Sequence, residues 1–179
     1  ALREAVLQQK ETFGKDTLLI SPVEHPAVAN TARQLQEHYG FNLDKLRIDN
    51  YGKIDLEDLI NKINNRTALV SAIYANNEIG NLTDIHAVGE LCKKSNAIFH
   101  ADTVQTVGHF SIDLSNTHVD FITGAGHKFH GPKGVGILYI SQRNKINPFI
   151  HGGGQERNMR AGTENIYGII GFSKALEIA

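Results

Sequence analysis

The sequence holds no tryptophan, one methionine and one cysteine, Cys92. A lone cysteine excludes an internal disulfide, and no Cys-x-x-Cys pair exists to hold zinc or run redox chemistry. Such sparing use points to a reducing, cytoplasmic setting. Charge of one sign is lacking too: 18 Lys and Arg stand against 19 Asp and Glu, a formal net charge of −1. With no basic run to neutralise phosphates, nucleic acid is not an expected partner. The apolar stretches fall well short of the roughly 20 residues that span a bilayer, and no basic flank precedes an apolar segment at the N-terminus, so no membrane is expected either. Other absences remove enzyme classes. There is no Gly-Lys-Ser/Thr of a phosphate-binding P-loop and no Gly-x-Ser-x-Gly elbow of a serine hydrolase. Despite 9 histidines there is no His-Glu-x-x-His pair or comparable ligand set, so no metal is expected.

What remains is a chain of 179 residues, 41% hydrophobic, which is enough for one sizeable core. Short β-rich runs alternate with amphipathic stretches, the pattern of a mostly parallel sheet with crossover helices. Strands are expected at Thr17–Ser21, Leu43–Ile48, Ala68–Tyr74, Ala97–Ala101, Val119–Thr123 and Gly136–Ile140. Helices are expected at Pro26–Tyr39, with Pro26 suited to the first turn, at Leu56–Ile63 after an Asp55 cap and at Ile85–Lys94 after an Asp84 cap. The chain opens in a helical pattern (ALREAVLQQK), starts at Ala1 rather than Met and closes in another helical pattern from Tyr167 to Ala179. The expectation is a piece of a longer polypeptide. Gly152–Gly154 marks a change of direction, and residues after about Pro148 are expected to leave the sheet.

Open α/β sheets bind ligands at the carboxyl ends of their strands, so polar clusters just after strand runs are the first candidates. Ser21-Pro22-Val23-Glu24-His25-Pro26 puts an imidazole at the mouth of a helix, where plain capping is the simpler reading of that motif alone. Tyr74-Ala75-Asn76-Asn77-Glu78-Ile79-Gly80 places two amides and a carboxylate after an apolar strand, and by itself reads as a turn. His100-Ala101-Asp102-Thr103-Val104-Gln105 offers a carboxylate able to hold a metal, orient a histidine or pair with a cationic ligand nitrogen. The run from Thr123 to Gly136 sets Lys128 among small residues beside His127. A neutral amine there attacks carbonyls, a form that neighbouring cations and desolvation favour. Without further context a solvated lysine in a glycine-rich loop is the simpler reading.

In this order, EHPAV, ANNEIG, HADTVQ, GHKFHGPKGVG and HGGGQERNMRAGTEN resemble the class V aminotransferase superfamily of fold-type I pyridoxal-phosphate enzymes, and within it the NifS-type cysteine desulfurases. The resemblance implies a three-layer α/β fold, a mostly parallel sheet with helices on both faces. It makes residues 1–150 the central part of a large cofactor-binding domain, and residues 151–179 a Gly-rich interface segment with the start of a connecting helix. It also implies pyridoxal 5′-phosphate as cofactor and conversion of L-cysteine to L-alanine. Sulfur would pass to an enzyme cysteine outside this chain, in a homodimer serving an iron–sulfur scaffold or another sulfur acceptor. Selenocysteine lyase, another class V aminotransferase and a non-catalytic binding module are the alternatives.

By the same resemblance, Lys128 matches the lysine that bonds the cofactor aldehyde and later shuttles the substrate α-proton. Asp102 matches the aspartate paired with the pyridine nitrogen, and Gln105 and Asn77 match groups around the cofactor's phenolic oxygen. His25 matches the histidine stacked on the ring, and His127 a phosphate-side contact. Thr163 matches a threonine offered to the phosphate in the partner subunit, with Arg160 and Asn158 in the same segment; His100 and Glu78 are structural supports. The family pattern is broken at Ala125, where a hydroxyl residue donates to the phosphate. Cys92 is no substitute for the sulfur-accepting cysteine, because its helical pattern buries it.

Overall fold

The computed structural model describes residues 2–179. Its elements in chain order are α1 (Leu2–Phe13), β1 (Thr17–Ile20), α2 (Pro26–Tyr39), β2 (Asn42–Lys45), α3 (Leu56–Lys62), β3 (Thr67–Ile73), α4 (Ile85–Ser95), β4 (Ile98–Asp102), β5 (Phe121–Ala125), β6 (Gly136–Ile140) and α5 (Ile166–Ile178). Local chemistry sets the helix ends. The His25 ring accepts from Ala27 N–H and Pro26 follows in the first turn, while Gly40 closes α2 in the left-handed conformation (φ 64°). Asp55 and Asp84 cap α3 and α4, Asn96 ends α4 with φ 54°, and Asn165 caps α5.

The sheet order is β2-β1-β3-β4-β5-β6, parallel except for β6, which runs antiparallel to β5. Side chains alternate along each strand and feed two cores. On one face Leu59 of α3 and Val88 and Cys92 of α4 pack on Leu19, Val70, Phe99 and Ile122. On the other, Val6 of α1 and Ala32 and Leu35 of α2 pack on Leu18, Ile20, Leu69 and Phe121. The expected three-layer α/β architecture is therefore present. The central strand β3 is buried along its whole length, as a strand covered on both faces must be.

The differences from expectation are at strand ends. Residues Leu46–Ile48 leave the sheet after β2. Asp49 draws them into a turn by accepting Tyr51 and Lys53 N–H at 2.8 and 2.9 Å, and Ile48 bridges Ile54 instead. β4 reaches Asp102, so that carboxylate belongs to the strand rather than following it. β5 begins at Phe121 and runs to Ala125, two residues later than read, because Asp120 is a hub rather than a strand residue. Its carboxylate accepts from Phe99 N–H (2.9 Å), Ser141 Oγ (3.2 Å), Arg143 Nε (2.6 Å) and the Asn144 side-chain amide, tying the β4, β5 and β6 ends together.

Candidate active site

In-register residues of a parallel sheet share a face, and Ser71 pairs with His100, Ile73 with Asp102, and Asp102 with Thr123. Ile73, His100, Asp102, Thr123 and Ala125 floor a cavity on the α1/α2 face, at the carboxyl ends of the strands. β1 lies between β2 and β3, so the chain reverses its direction of travel across the sheet here, the place where such sheets bind ligands. The walls are the first turn of α1, one side of α2 and the 3₁₀ turn Gly126–Phe129, and the cavity, open to solvent on one side, has a volume of about 700 Å³. His25, Asn77, Asp102, Gln105, His127 and Lys128 all line it. Thr163 does not; it is exposed on the segment between the short turn Glu156–Asn158 and α5.

Lys128 sits on the turn that directly continues β5, and that turn is held from both sides. Its own carbonyl accepts from His109 Nε2 (3.0 Å). The next residue, Phe129, is fully buried and packs edge-on to Phe172 of α5, ring centres 5.0 Å apart. Gly108 (φ +83°) lets Phe129 in, since a Cβ there would lie 2.7 Å from the Phe129 Cβ. His130 closes the turn in the left-handed region at φ 65°. The glycines around Lys128 thus serve close packing, and the lysine itself remains half-buried at the cavity.

Asp102 is 7% exposed. Oδ1 accepts Val104 N–H at 3.0 Å, which leaves Oδ2 without a protein donor among the described residues. Burial raises its pKa above the ordinary carboxylate value, opposed by the Val104 hydrogen bond and by His25. His25 both caps α2 and lines the cavity. Because Nδ1 accepts from Ala27 N–H (3.2 Å), the neutral ring carries its proton on Nε2. His100 lies one row below Asp102, with Nδ1 2.8 Å from Ser71 Oγ and Nε2 3.4 Å from Thr123 Oγ1. Burial pushes its pKa down to about 3, so the ring is neutral throughout the physiological range.

Two site features lie outside the sequence reading. Asn76, rather than Asn77, joins the strand-end loops: its Nδ2 donates to Val23 carbonyl (2.8 Å) and its Oδ1 accepts Glu78 and Ile79 N–H. Only the turn pattern of the two asparagines hinted at this. Glu24 is a buried carboxyl whose two oxygens have no hydrogen-bond partner among the described residues. A Glu directly before a helix cap gives no sequence signal of burial.

The model of the aminotransferase class-V family matches residues 4–179. The chain belongs to the class-V aminotransferase family. Among relatives of this class-V aminotransferase chain, the cysteine desulfurase IscS of Clostridium botulinum is 47% identical over 162 residues, covering 90% of this chain and 41% of the relative. The cysteine desulfurase of Nostoc sp. is 42% identical over 178 residues, covering 99% of this chain and 44% of the relative. The chain thus spans less than half the length of these curated relatives. In three dimensions it resembles a NifS-like protein (TM-score 0.93, 41% identity, 99% of this chain and 48% of that one). It also resembles SspA in complex with cysteine (TM-score 0.90, 34% identity, 98% of this chain and 51% of that one).

Class-V aminotransferases work through pyridoxal 5′-phosphate, and the donor set of the cavity fits that group. A buried carboxylate with an unclaimed oxygen suits a protonated ring nitrogen, and a half-buried lysine on a braced turn suits an aldehyde. Cys92 is fully buried, and burial, with the nearby Asp120 charge, raises its thiol pKa, so it is no nucleophile.

Proposed function

We propose that this chain forms the cofactor-binding part of a pyridoxal-phosphate-dependent cysteine desulfurase. Residues 1–150 are the central part of the large domain, and residues 151–179 are an interface segment leading into a connecting helix. The observation that carries this reading is the convergence of Lys128, Asp102 and His25, from three separate stretches of sequence, on one cavity. The desulfurase assignment within the family draws on the relatives, which are named cysteine desulfurases, and on the likeness to SspA in complex with cysteine.

When bound, pyridoxal phosphate supplies an aldehyde that bonds amines and a ring that withdraws electrons from a substrate α-carbon. Lys128 Nζ would hold that aldehyde, and its amine would be the base available for the α-proton. Asp102 Oδ2 would accept from the ring nitrogen and keep it protonated, its orientation fixed by Val104 N–H on Oδ1. His25 would contact the ring, with Nε2–H as its available donor. Asn77 and Gln105 serve the phenolic oxygen, and His127 the phosphate. Thr163, exposed on the interface segment, serves the cofactor of a second subunit in a homodimer.

The sulfur of L-cysteine is taken by a cysteine outside this chain and passed to an iron–sulfur scaffold or another acceptor. A single, buried, free Cys92 accords with a reducing cytoplasm. Among the described residues no helix is long and apolar enough to cross a membrane.

The test is product analysis with L-cysteine and pyridoxal phosphate. With a thiol reductant to release the transferred sulfur, and with the sulfur-accepting cysteine present, the desulfurase reading expects alanine and sulfide in equal amounts with no added keto acid. Mercaptopyruvate with an aminated cofactor would assign a transaminase instead.

A further inference from the structure

Asp102 and Lys128 stand on different strands, and one short segment joins their surroundings. It starts at Asp102, the last residue of β4, and ends at His109, whose Nε2 lies 3.0 Å from the Lys128 carbonyl oxygen. Each step between them is fastened. Val104 N–H donates to Asp102 Oδ1 at 3.0 Å. Thr106 and Val107 N–H both reach the Thr103 carbonyl, and His109 and Phe110 N–H both reach the Thr106 carbonyl, all at 2.9 Å. Thr103, fully buried, donates its N–H (3.1 Å) and its hydroxyl (2.8 Å) to the Thr123 carbonyl on β5. Residues 102–109 are thus consecutive tight turns tied to the strand that leads into the Lys128 turn.

The far end of the segment is equally close to the lysine. Gly108 lies directly on Phe129, the residue after Lys128, and its positive φ leads the chain on to His109. A carbonyl oxygen only accepts, so His109 Nε2 carries the hydrogen, and the neutral and the protonated ring both keep that donor. The 3₁₀ turn Gly126–Phe129 has no side-chain cap at its start, and such short turns hold less firmly than an α-helix. A lysine reaches its target on a flexible four-carbon stem, so its aim depends on how firmly its backbone is held.

We propose that His109 is a positioning residue that acts through Lys128. By tying the Lys128 carbonyl to the segment that begins at Asp102, it sets the lysine at the separation from Asp102 that the aldehyde and the ring nitrogen of one cofactor require. His109 is not among the residues lining the cavity, so it serves the bond between Lys128 and the aldehyde without contacting the cofactor itself. The role rests on the pyridoxal-phosphate reading above.

The test compares pyridoxal phosphate with 4-deoxypyridoxine 5′-phosphate, which has a methyl group in place of the aldehyde, by equilibrium dialysis on wild type, His109→Ala and His109→Gln. The analogue reports how the ring and phosphate seat, and the aldehyde adds the bond to Lys128. His109→Ala should weaken pyridoxal phosphate about fivefold, the effect of one neutral hydrogen bond, and leave the analogue within about twofold. His109→Gln, whose amide reaches the place of Nε2, should restore the wild-type affinity for pyridoxal phosphate. Equal weakening of both probes in His109→Ala marks a merely structural role and overturns the proposal, as does an unchanged affinity for pyridoxal phosphate. Should His109→Ala fail to fold, His109→Asn replaces it, its amide falling short of the carbonyl, and the same outcomes decide. If wild type binds the two probes equally, no bond to Lys128 forms, and the pyridoxal-phosphate reading fails with the role built on it. Hydrogen exchange at residues 126–131 of the unloaded proteins tells the two failures apart: it is faster in His109→Ala where His109 braces the turn, and unchanged where it does not.

Discussion

Replacing His100 with asparagine should flatten the acid limb of the stability curve. The native ring is almost fully buried between Ser71 and Thr123, and its pKa is pushed from 6.5 down to about 3. As pH falls below 6.5 the unfolded chain takes a proton on this residue that the native ring refuses, so stability is lost on acidification down to about pH 3. Each pH unit in that window is worth about 1.4 kcal/mol, which gives about 2 kcal/mol at pH 5 and a ceiling of about 5 kcal/mol. Asparagine keeps a polar partner for Ser71 Oγ and cannot titrate. The variant should start lower at pH 7, by about 1–2 kcal/mol for the lost volume and hydrogen bond. Its further loss between pH 7 and pH 5 should then be about 2 kcal/mol smaller than that of wild type. Urea unfolding at the two pH values measures this directly, because contributions of other groups cancel in the comparison. Parallel losses in the two proteins would refute the reasoning and mean that the ring takes its proton in the native state.

Asp120→Ala should cost about 3–5 kcal/mol in chemical denaturation, since it leaves Phe99 N–H and Arg143 without their shared buried acceptor; a loss under about 1 kcal/mol would contradict the hub role. Ala125→Ser should tighten pyridoxal-phosphate binding about tenfold in a fluorescence titration. Ala125 lines the cavity at the head of the 3₁₀ turn, which has no side-chain cap, and an unchanged affinity would place the phosphate elsewhere. Phe129→Ala should lower thermal stability by about 3–5 kcal/mol and loosen the Lys128 turn, read as faster hydrogen exchange at residues 126–131; unchanged exchange would show that the Phe129–Phe172 contact does not brace it.

The parts of the fold legible in the sequence are those set by local chemistry. α2 begins and ends where Pro26 and Gly40 require, and β6 matches its apolar run from Gly136 to Ile140. The family motifs led to residues that meet at one cavity, because a parallel sheet gathers its strand-end loops along one edge. Long-range pairing was not legible. Asp120 resembles any acidic residue before a strand until Phe99, Arg143 and Asn144 come to it from more than 20 residues away. The choice between Asn76 and Asn77 depends on which amide meets Val23, a contact 53 residues distant. Glu24 is invisible for the opposite reason, since its distinction is that its carboxyl oxygens have no hydrogen-bond partner among the described residues.

The most direct test of the cofactor site is borohydride trapping with pyridoxal phosphate, followed by peptide mapping, on wild type and Lys128→Ala. A single phosphopyridoxyl adduct on Lys128 that disappears in the variant is the expected result. Labelling scattered over other lysines and unchanged in the variant would contradict the assignment of Lys128, Asp102 and His25 to one cofactor site.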